Sequence, residues 1–293
     1  MRILGHRGAR LVAPENTLAA FRAALADGAD GIELDVRQTA DGALVCFHDS
    51  SLGRTTDGRG PLRERTLAEL LALDAGSWFD EAGSGRAARA PSHRGPRSPG
   101  RPPRTRSRRF EGPGATAQDA PAPGGRPAGF GGLRIPTLAE VFDALPATTL
   151  IDVEVKARGD GPQGPKEVAA LVAGILADRT DTGRLMVTSF SRRVAAAVAA
   201  ELPGVRVGLV SPSFIPLGRA LRAAQAVGCS VLAAQASAFS TPKARLLTSR
   251  AVDEGVLLVA WTVDEPDAAR RLADMGVDAL VTDQPGRLAH ALR

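Results

Sequence analysis

The sequence predicts an α/β fold, a (β/α)8 TIM barrel with a β-hairpin and an insertion after the second strand. Eight short apolar runs rich in Val, Leu and Ile alternate with Ala/Leu/Arg stretches of helical period, the pattern of parallel strands joined by crossover helices. A length of 293 residues with 44% apolar content suits a single barrel with a substantial core. An open doubly wound sheet is the alternative, and the sequence lacks the Gly-rich dinucleotide turn that would mark it.

Taken in order, the expected strands are Ile3–His6, Gly31–Val36, Leu150–Lys156, Leu185–Ser189, Val205–Val210, Ser230–Ala233, Val256–Val263 and Ala279–Thr282. The helices that follow them are Thr17–Asp27, Leu138–Leu145, Pro165–Asp178, Ser191–Glu201, Leu217–Val227, Thr241–Glu254, Glu265–Met275 and Pro285–Leu292. Pro165, Pro266 and Pro285 stand in first turns, where a missing N–H does no harm. One strand-like run, Ala43–His48, follows Val36 after only six residues, RQTADG. A parallel crossover needs about a dozen residues, so this run returns antiparallel about Asp41-Gly42, a hairpin signal. The return brings His48 roughly opposite Glu33, at the carboxyl ends of strands where barrel active sites lie.

The formal charge of +5 is concentrated in one place. Ser84–Gly132 holds ten Arg against Glu111 and Asp119, a local +8 that leaves −3 for the rest. This Pro-, Gly- and Arg-rich stretch has too few large apolar residues to order itself, so it reads as a disordered insertion in a single domain spanning 1–293. It is either a tolerated surface loop or an electrostatic tether to nucleic acid or anionic lipid. No run is long enough for a membrane span, and the N-terminus passes straight into a strand without a secretory leader. Cys46 and Cys229 stand alone, against a disulfide or zinc site. A cytoplasmic protein is expected.

Three clusters carry chemistry. Glu33 and Asp35 are two apart on a strand and share a face. Two like charges buried together call for a cation between them, and all-oxygen donors point to Mg2+ or Ca2+. A solvent-exposed strand end is the plain alternative. In LIDVEVK, Asp152, Glu154 and Lys156 share one face, the barrel lumen, where charge must be paired or metal-bound. Glu154 would complete the metal site and Lys156 would face an anion; otherwise the two form a simple buried ion pair. His6 and Arg7 end the first strand, an acid–base group beside a phosphate-gripping fork.

The motifs HRGAR (6–10), PENT (14–17), ELDV (33–36) and FHD (47–49), continuing into LGRTTDGRG (52–60), resemble the glycerophosphodiester phosphodiesterase family. VEVK, Ser189–Phe190, AWTVD around Trp261 and VTDQP around Asp283 match its later landmarks in order. The resemblance covers nearly the whole chain apart from the basic segment. It implies a Ca2+- or Mg2+-dependent barrel enzyme that turns a small glycerophosphodiester into glycerol 3-phosphate and an alcohol. It places Glu33, Asp35 and Glu154 as metal ligands, His6 and His48 as the acid–base pair, and Arg7 and Lys156 as phosphate contacts. Trp261 packs beside substrate, and Glu15 and Asn16 shape the first loop. Water or the neighbouring glycerol hydroxyl is the nucleophile. A phospholipase D-like action on lysophospholipids or sphingolipids would use the same site and is the alternative.

Overall fold

The structure, a computed structural model, describes residues 1–83, 129–156, 164–177 and 182–293. Its first elements are β1 (Arg2–His6), α1 (Leu18–Ala26), β2 (Gly31–Gln38), β3 (Leu44–Cys46), α2 (Leu67–Leu71), α3 (Ser77–Gly83) and α4 (Leu138–Ala144). Regular alternation then runs through β4 (Leu150–Val155), α5 (Pro165–Leu176), β5 (Leu185–Ser189), α6 (Arg192–Glu201), β6 (Arg206–Ser211) and α7 (Leu217–Gln225). It ends with β7 (Val231–Gln235), α8 (Ala244–Asp253), β8 (Leu257–Trp261), α9 (Pro266–Asp274), β9 (Ala279–Thr282) and α10 (Pro285–Leu292). β1 pairs in parallel with both β2 and β9, so the eight parallel strands close into a barrel, and β3 adds antiparallel to the far end of β2.

Period-two alternation sorts the side chains. Ile32, Leu34 and Val36 of β2 and Ile151, Val153 and Val155 of β4 join the core between barrel and helices. The intervening residues therefore face the lumen. Most of the lumen is apolar, filled by Leu4, Val210, Val231, Ala233, Val259, Ala279 and Val281. The acids of β2 and β4 make one sector of it polar. Gly31 allows β4 to start tightly against β2, since a Cβ there would lie 2.0 Å from the Leu150 carbonyl oxygen.

Every expected barrel strand and helix forms, with ends within about three residues of expectation. Two details differ. The hairpin strand is Leu44–Cys46 rather than Ala43–His48, and Val36 pairs with Cys46. Thr39 N–H bonds to the Ala43 carbonyl at 2.9 Å, leaving a three-residue tip with Gly42 at φ 90. In this register His48 falls opposite Leu34, one residue short of Glu33 and one nearer to it than a two-residue tip at Asp41-Gly42 would bring it. Second, the basic segment was expected to run to Gly132, but Phe130 is half-buried and Gly132 donates its N–H to Asp74 Oδ2 at 3.0 Å. Phe130 donates its N–H to Asp80 at 2.6 Å and stacks edge-on against Phe79. Ala75 N–H meets the Leu133 carbonyl at 2.6 Å, so the two flanks of the segment lie together. Residues 84–128, on which the expectations of disorder and of nucleic-acid or lipid contact rest, lie outside the described residues.

The excursion between β3 and α4 has its own small core of Val45, Phe47, Leu52, Leu62, Leu70, Ala75 and Ile135. Helix α2 inside it opens on a capping box of Thr66 and Glu69, a signal present in the sequence as T-x-x-E. Among the described residues no helix is long and apolar enough to cross a membrane.

Candidate active site

A cleft of about 630 Å³ opens at the carboxyl ends of the strands, lined by residues from β1, β2, β4 to β9 and the loops that follow them. Its polar side begins with Glu33 and Glu154, with Asp35 directly behind them. All three are buried, and a carboxylate oxygen from each lies within 4.8 Å of the others. Burial, then repulsion from Asp35 and Glu154, pushes the Glu33 carboxyl well above its ordinary range. Burial raises Glu154 as well. Asp35 goes the other way: burial would raise it, but Lys156 and Arg7 outweigh that and hold it far below. Lys156 Nζ lies 2.9 Å from Asp35 Oδ1 and also bonds Glu154. Two of three clustered carboxylates thus resist ionising together, as expected of a donor set that a hard divalent cation would relieve. The residues fit such an ion. Asp152, one step deeper, accepts from Thr188 Oγ1 at 2.8 Å, and burial lifts its carboxyl to about 7.

The first loop is built around strained backbone. Arg7 sits at φ 54 and Asn16 at φ 58, conformations that non-glycine residues rarely adopt away from functional sites. Gly8 follows at φ 81, and a Cβ on it would come 2.5 Å from the Ala20 backbone, so α1 packs directly on this turn. Asn16 pays for its conformation with a two-way clamp on Asp35: Nδ2 donates to Oδ2 at 2.8 Å, and Oδ1 accepts from the Asp35 N–H at 3.1 Å. Arg7 donates its backbone N–H to Glu33 at 3.0 Å and Nη1 to Glu15 at 2.8 Å, with Nε 3.1 Å from Asp35.

Each candidate histidine has a carboxylate on Nδ1. His6 pairs with Asp283 and His48 with Asp49, both at 2.6 Å. A carboxylate on Nδ1 favours the tautomer with its proton there and leaves Nε2 to exchange protons. Burial lowers the pKa of both rings, partly offset by those carboxylates and reinforced by Arg7.

The opposite side of the cleft is apolar. Trp261 is held by its Nε1–H on the Ala233 carbonyl at 3.1 Å and meets Phe190 edge-on at 5.7 Å. Lys156 Nζ lies 5.6 Å from the centre of the Phe190 ring.

The structure therefore brings His6, Arg7, Glu33, His48, Glu154, Lys156 and Trp261 to one cleft, with Asp35, Glu15 and Asn16 immediately behind. Sequence reasoning passed over Asp49, Arg54, Asp283 and Phe190. Asp49, Asp283 and Phe190 stand in FHD, VTDQP and SF, so the motifs held the signal. Asp283 also directly follows β9, at the active end of the barrel.

Comparison with known proteins gives a consistent picture. The model of the glycerophosphoryl diester phosphodiesterase family matches residues 6–287. A glycerophosphodiester phosphodiesterase of Caldanaerobacter subterraneus is 30% identical over 99% of this chain and 97% of its own. A Bacillus subtilis protein named as a putative glycerophosphodiester phosphodiesterase is also 30% identical, covering 97% and 95%. Among solved structures, a putative glycerophosphoryl diester phosphodiesterase of Silicibacter pomeroyi superimposes with TM-score 0.75 at 25% identity, covering 100% of this chain and 93% of that one. A phosphodiesterase of Oleispira antarctica, solved with the product sn-glycerol-3-phosphate, shares the fold with TM-score 0.74 at 24% identity, covering 100% and 96%.

Proposed function

The chain belongs to the glycerophosphoryl diester phosphodiesterase family, a family of hydrolases, and from that premise we propose that it hydrolyses glycerophosphodiesters to glycerol 3-phosphate and an alcohol. The observation that carries this reading is the convergence of a three-carboxylate cluster and two His–Asp pairs on one cleft. In this reading Glu33, Asp35 and Glu154 hold one divalent cation, Ca2+ or Mg2+. Such an ion, when bound, offsets negative charge that builds on the phosphoryl oxygens.

The chain's own groups do the rest. Arg7 and Lys156 grip the phosphate and add fixed positive charge. One histidine takes a proton from the attacking water or glycerol hydroxyl as the new P–O bond forms, and the other gives a proton to the leaving alkoxide as the old bond breaks. A cyclic phosphate made by the glycerol hydroxyl is then opened by water with the two roles exchanged. Asp283 and Asp49 keep each ring oriented through Nδ1. Trp261 and Phe190 offer an apolar face to the carbon skeleton of the substrate. Residues 1–293 act as one catalytic domain interrupted by the basic segment. The test is glycerol 3-phosphate release from a panel of glycerophosphodiesters, in EDTA and with Ca2+ or Mg2+ restored. Release that EDTA abolishes and a cation restores is expected; no release from any of them by folded, metal-loaded protein would sink the reading.

A second reading has one observation in its favour. Leu11, Val12, Phe190 and Phe214 are exposed, Phe214 at 83%, on loops that follow β1, β5 and β6. Apolar side chains on the active end suit a phospholipase D-like attack on lysophospholipids or sphingolipids. Lysophosphatidylcholine turned over faster than glycerophosphocholine would favour it.

A further inference from the structure

The loop that follows β3 carries a guanidinium that the reaction as described leaves unused. Leu52 anchors this loop in the small third core. Thr56 Oγ1 then donates to the Leu52 carbonyl at 2.8 Å and accepts from the Gly58 N–H at 3.1 Å, closing a tight turn around residue 54. Leu52 N–H meets the Gly60 carbonyl at 3.0 Å, pinning the other end. Arg54 thus projects from fixed backbone.

It reaches two carboxylates. Nε donates to Asp49 Oδ2 at 2.6 Å and Nη2 to Asp49 Oδ1 at 3.1 Å. Nη2 also donates to Glu15 Oε1 at 2.6 Å, and Nη1 to Glu15 Oε2 at 2.9 Å. These are the same carboxylates that hold His48 and Arg7: Asp49 Oδ1 bonds His48 Nδ1, and Glu15 Oε1 bonds Arg7 Nη1. We propose that Arg54 is a positioning residue, a clamp that fixes His48 through Asp49 and Arg7 through Glu15 in one rigid frame. The inference rests on the catalytic reading of His48 and Arg7 above.

Two features separate a clamp from a third phosphate contact. A guanidinium has five N–H donors, and the four hydrogen bonds above leave Arg54 little to offer an anion. The planar fork also matches two carboxylates at once, a geometry that an ammonium cannot copy. The charges around His48 are Asp49, Asp35, Arg7 and Lys156, with Arg37 donating to its carbonyl at 2.6 Å and 2.8 Å. Arg54 balances Asp49 in this set. Without it, the uncompensated carboxylate holds the imidazole proton more tightly.

The test uses full-length, metal-loaded protein with Arg54→Met and Arg54→Lys. His48 is titrated by NMR of its ring protons, identified by their loss in His48→Asn, and kcat and KM are measured against pH. Arg54→Met should lower kcat about 10- to 100-fold with KM within about threefold, and raise the His48 midpoint by roughly half to one pH unit. Arg54→Lys should return the midpoint to the wild-type value while recovering only part of kcat, because charge is restored but the fork is not. Either variant with wild-type kcat overturns the proposal. So does a fall in kcat for Arg54→Met with the midpoint unmoved. If Arg54→Met does not fold, the Lys variant decides alone: reduced kcat with an unmoved midpoint supports the clamp. Wild-type protein that releases no glycerol 3-phosphate would count against the reaction only, since the His48 titration tests the clamp without turnover.

Discussion

Glu33→Gln should make the metal-free protein more stable and the enzyme inactive. In Glu33, Asp35 and Glu154, oxygens within 4.8 Å repel, at an effective dielectric of 20, by about 3.5 kcal/mol per pair when both are ionised. The folded protein avoids part of this by holding a proton on Glu33. The gain from neutralising Glu33 is therefore a fraction of the two-pair sum, about 1–3 kcal/mol near pH 8. Glutamine keeps a carbonyl oxygen to accept the Arg7 N–H now bonded at 3.0 Å, so no donor is orphaned. For a chain of this size, that gain is a rise in Tm of roughly 2–6 °C in EDTA. The pH dependence has a definite sign. A carboxyl whose folded pKa is raised contributes its stability in full below the unfolded value of about 4.3, and loses it as pH rises through the folded value. The advantage of the variant should then be larger at pH 8 than at pH 5. Adding Ca2+ or Mg2+ reverses the order: cation at 100 times its Kd stabilises the wild type by about 2.7 kcal/mol, and the variant by much less. Thermal melts in EDTA and in cation, with kcat alongside, check all of this. A variant less stable than wild type in EDTA that still gains fully from cation would refute the metal-site reasoning.

Four further outcomes are expected. His6→Ala and His48→Ala should each lower kcat by ~100-fold or more with the circular dichroism unchanged; near-wild-type turnover would remove that histidine from the mechanism. Asp152, raised by burial to about 7, contributes stability that is full below about pH 4 and is lost as pH rises through 7. Asp152→Asn should therefore flatten the pH dependence of the melting temperature in EDTA between pH 5 and 8, and an unchanged slope would contradict the burial argument. Gly8→Ala, at φ 81 with its new Cβ 2.5 Å from the Ala20 backbone, should cost about 2–4 kcal/mol in urea melts and lower kcat by displacing Arg7. Replacing residues 84–128 with a short Gly/Ser linker should leave kcat/KM within about twofold, because Phe130 already packs at Asp80 and loop length contributes little; a large loss would tie the basic segment to catalysis.

What was legible in the sequence follows from how local each feature is. The side on which Glu33, Asp35, Asp152, Glu154 and Lys156 point is set by the two-residue period of a strand, and that period is written in GIELDV and LIDVEVK. The hairpin was readable from Asp41-Gly42, yet its register was not. Thr39 Oγ1 accepts from the Ala43 N–H at 2.8 Å, and that side-chain bond steadies the larger tip behind the one-residue shift. The helices α2 and α3 were lost for a different reason: five and seven residues carry too little period to stand out, although Thr66 and Glu69 marked one start. Asp283 and Arg54 stand in readable motifs, but which residue each one meets across the chain left no local trace. Asp283 reaches His6 from 277 positions away, and Arg54 meets Glu15 across 39.

These distant partners decide what the legible residues can do. A histidine at the end of β1 is only a titratable ring until Asp283 selects its tautomer, and that carboxylate arrives only because β9 closes the barrel against β1. Arg7 is likewise one of many arginines until Glu15, itself gripped by Arg54, fixes its fork beside Asp35. Barrel closure thus does more than pack strands: it joins the first and last strands and brings Asp283 to His6 with the same contact. A circular permutant with Arg293 linked to Met1 and new ends placed at Gly228, between α7 and β7, tests this directly. Pairing of the strands would persist without the covalent order, so the His6–Asp283 bond and turnover should both survive in a folded permutant. Loss of turnover with the barrel intact would mean that the native order holds that pair by more than the closure of the sheet.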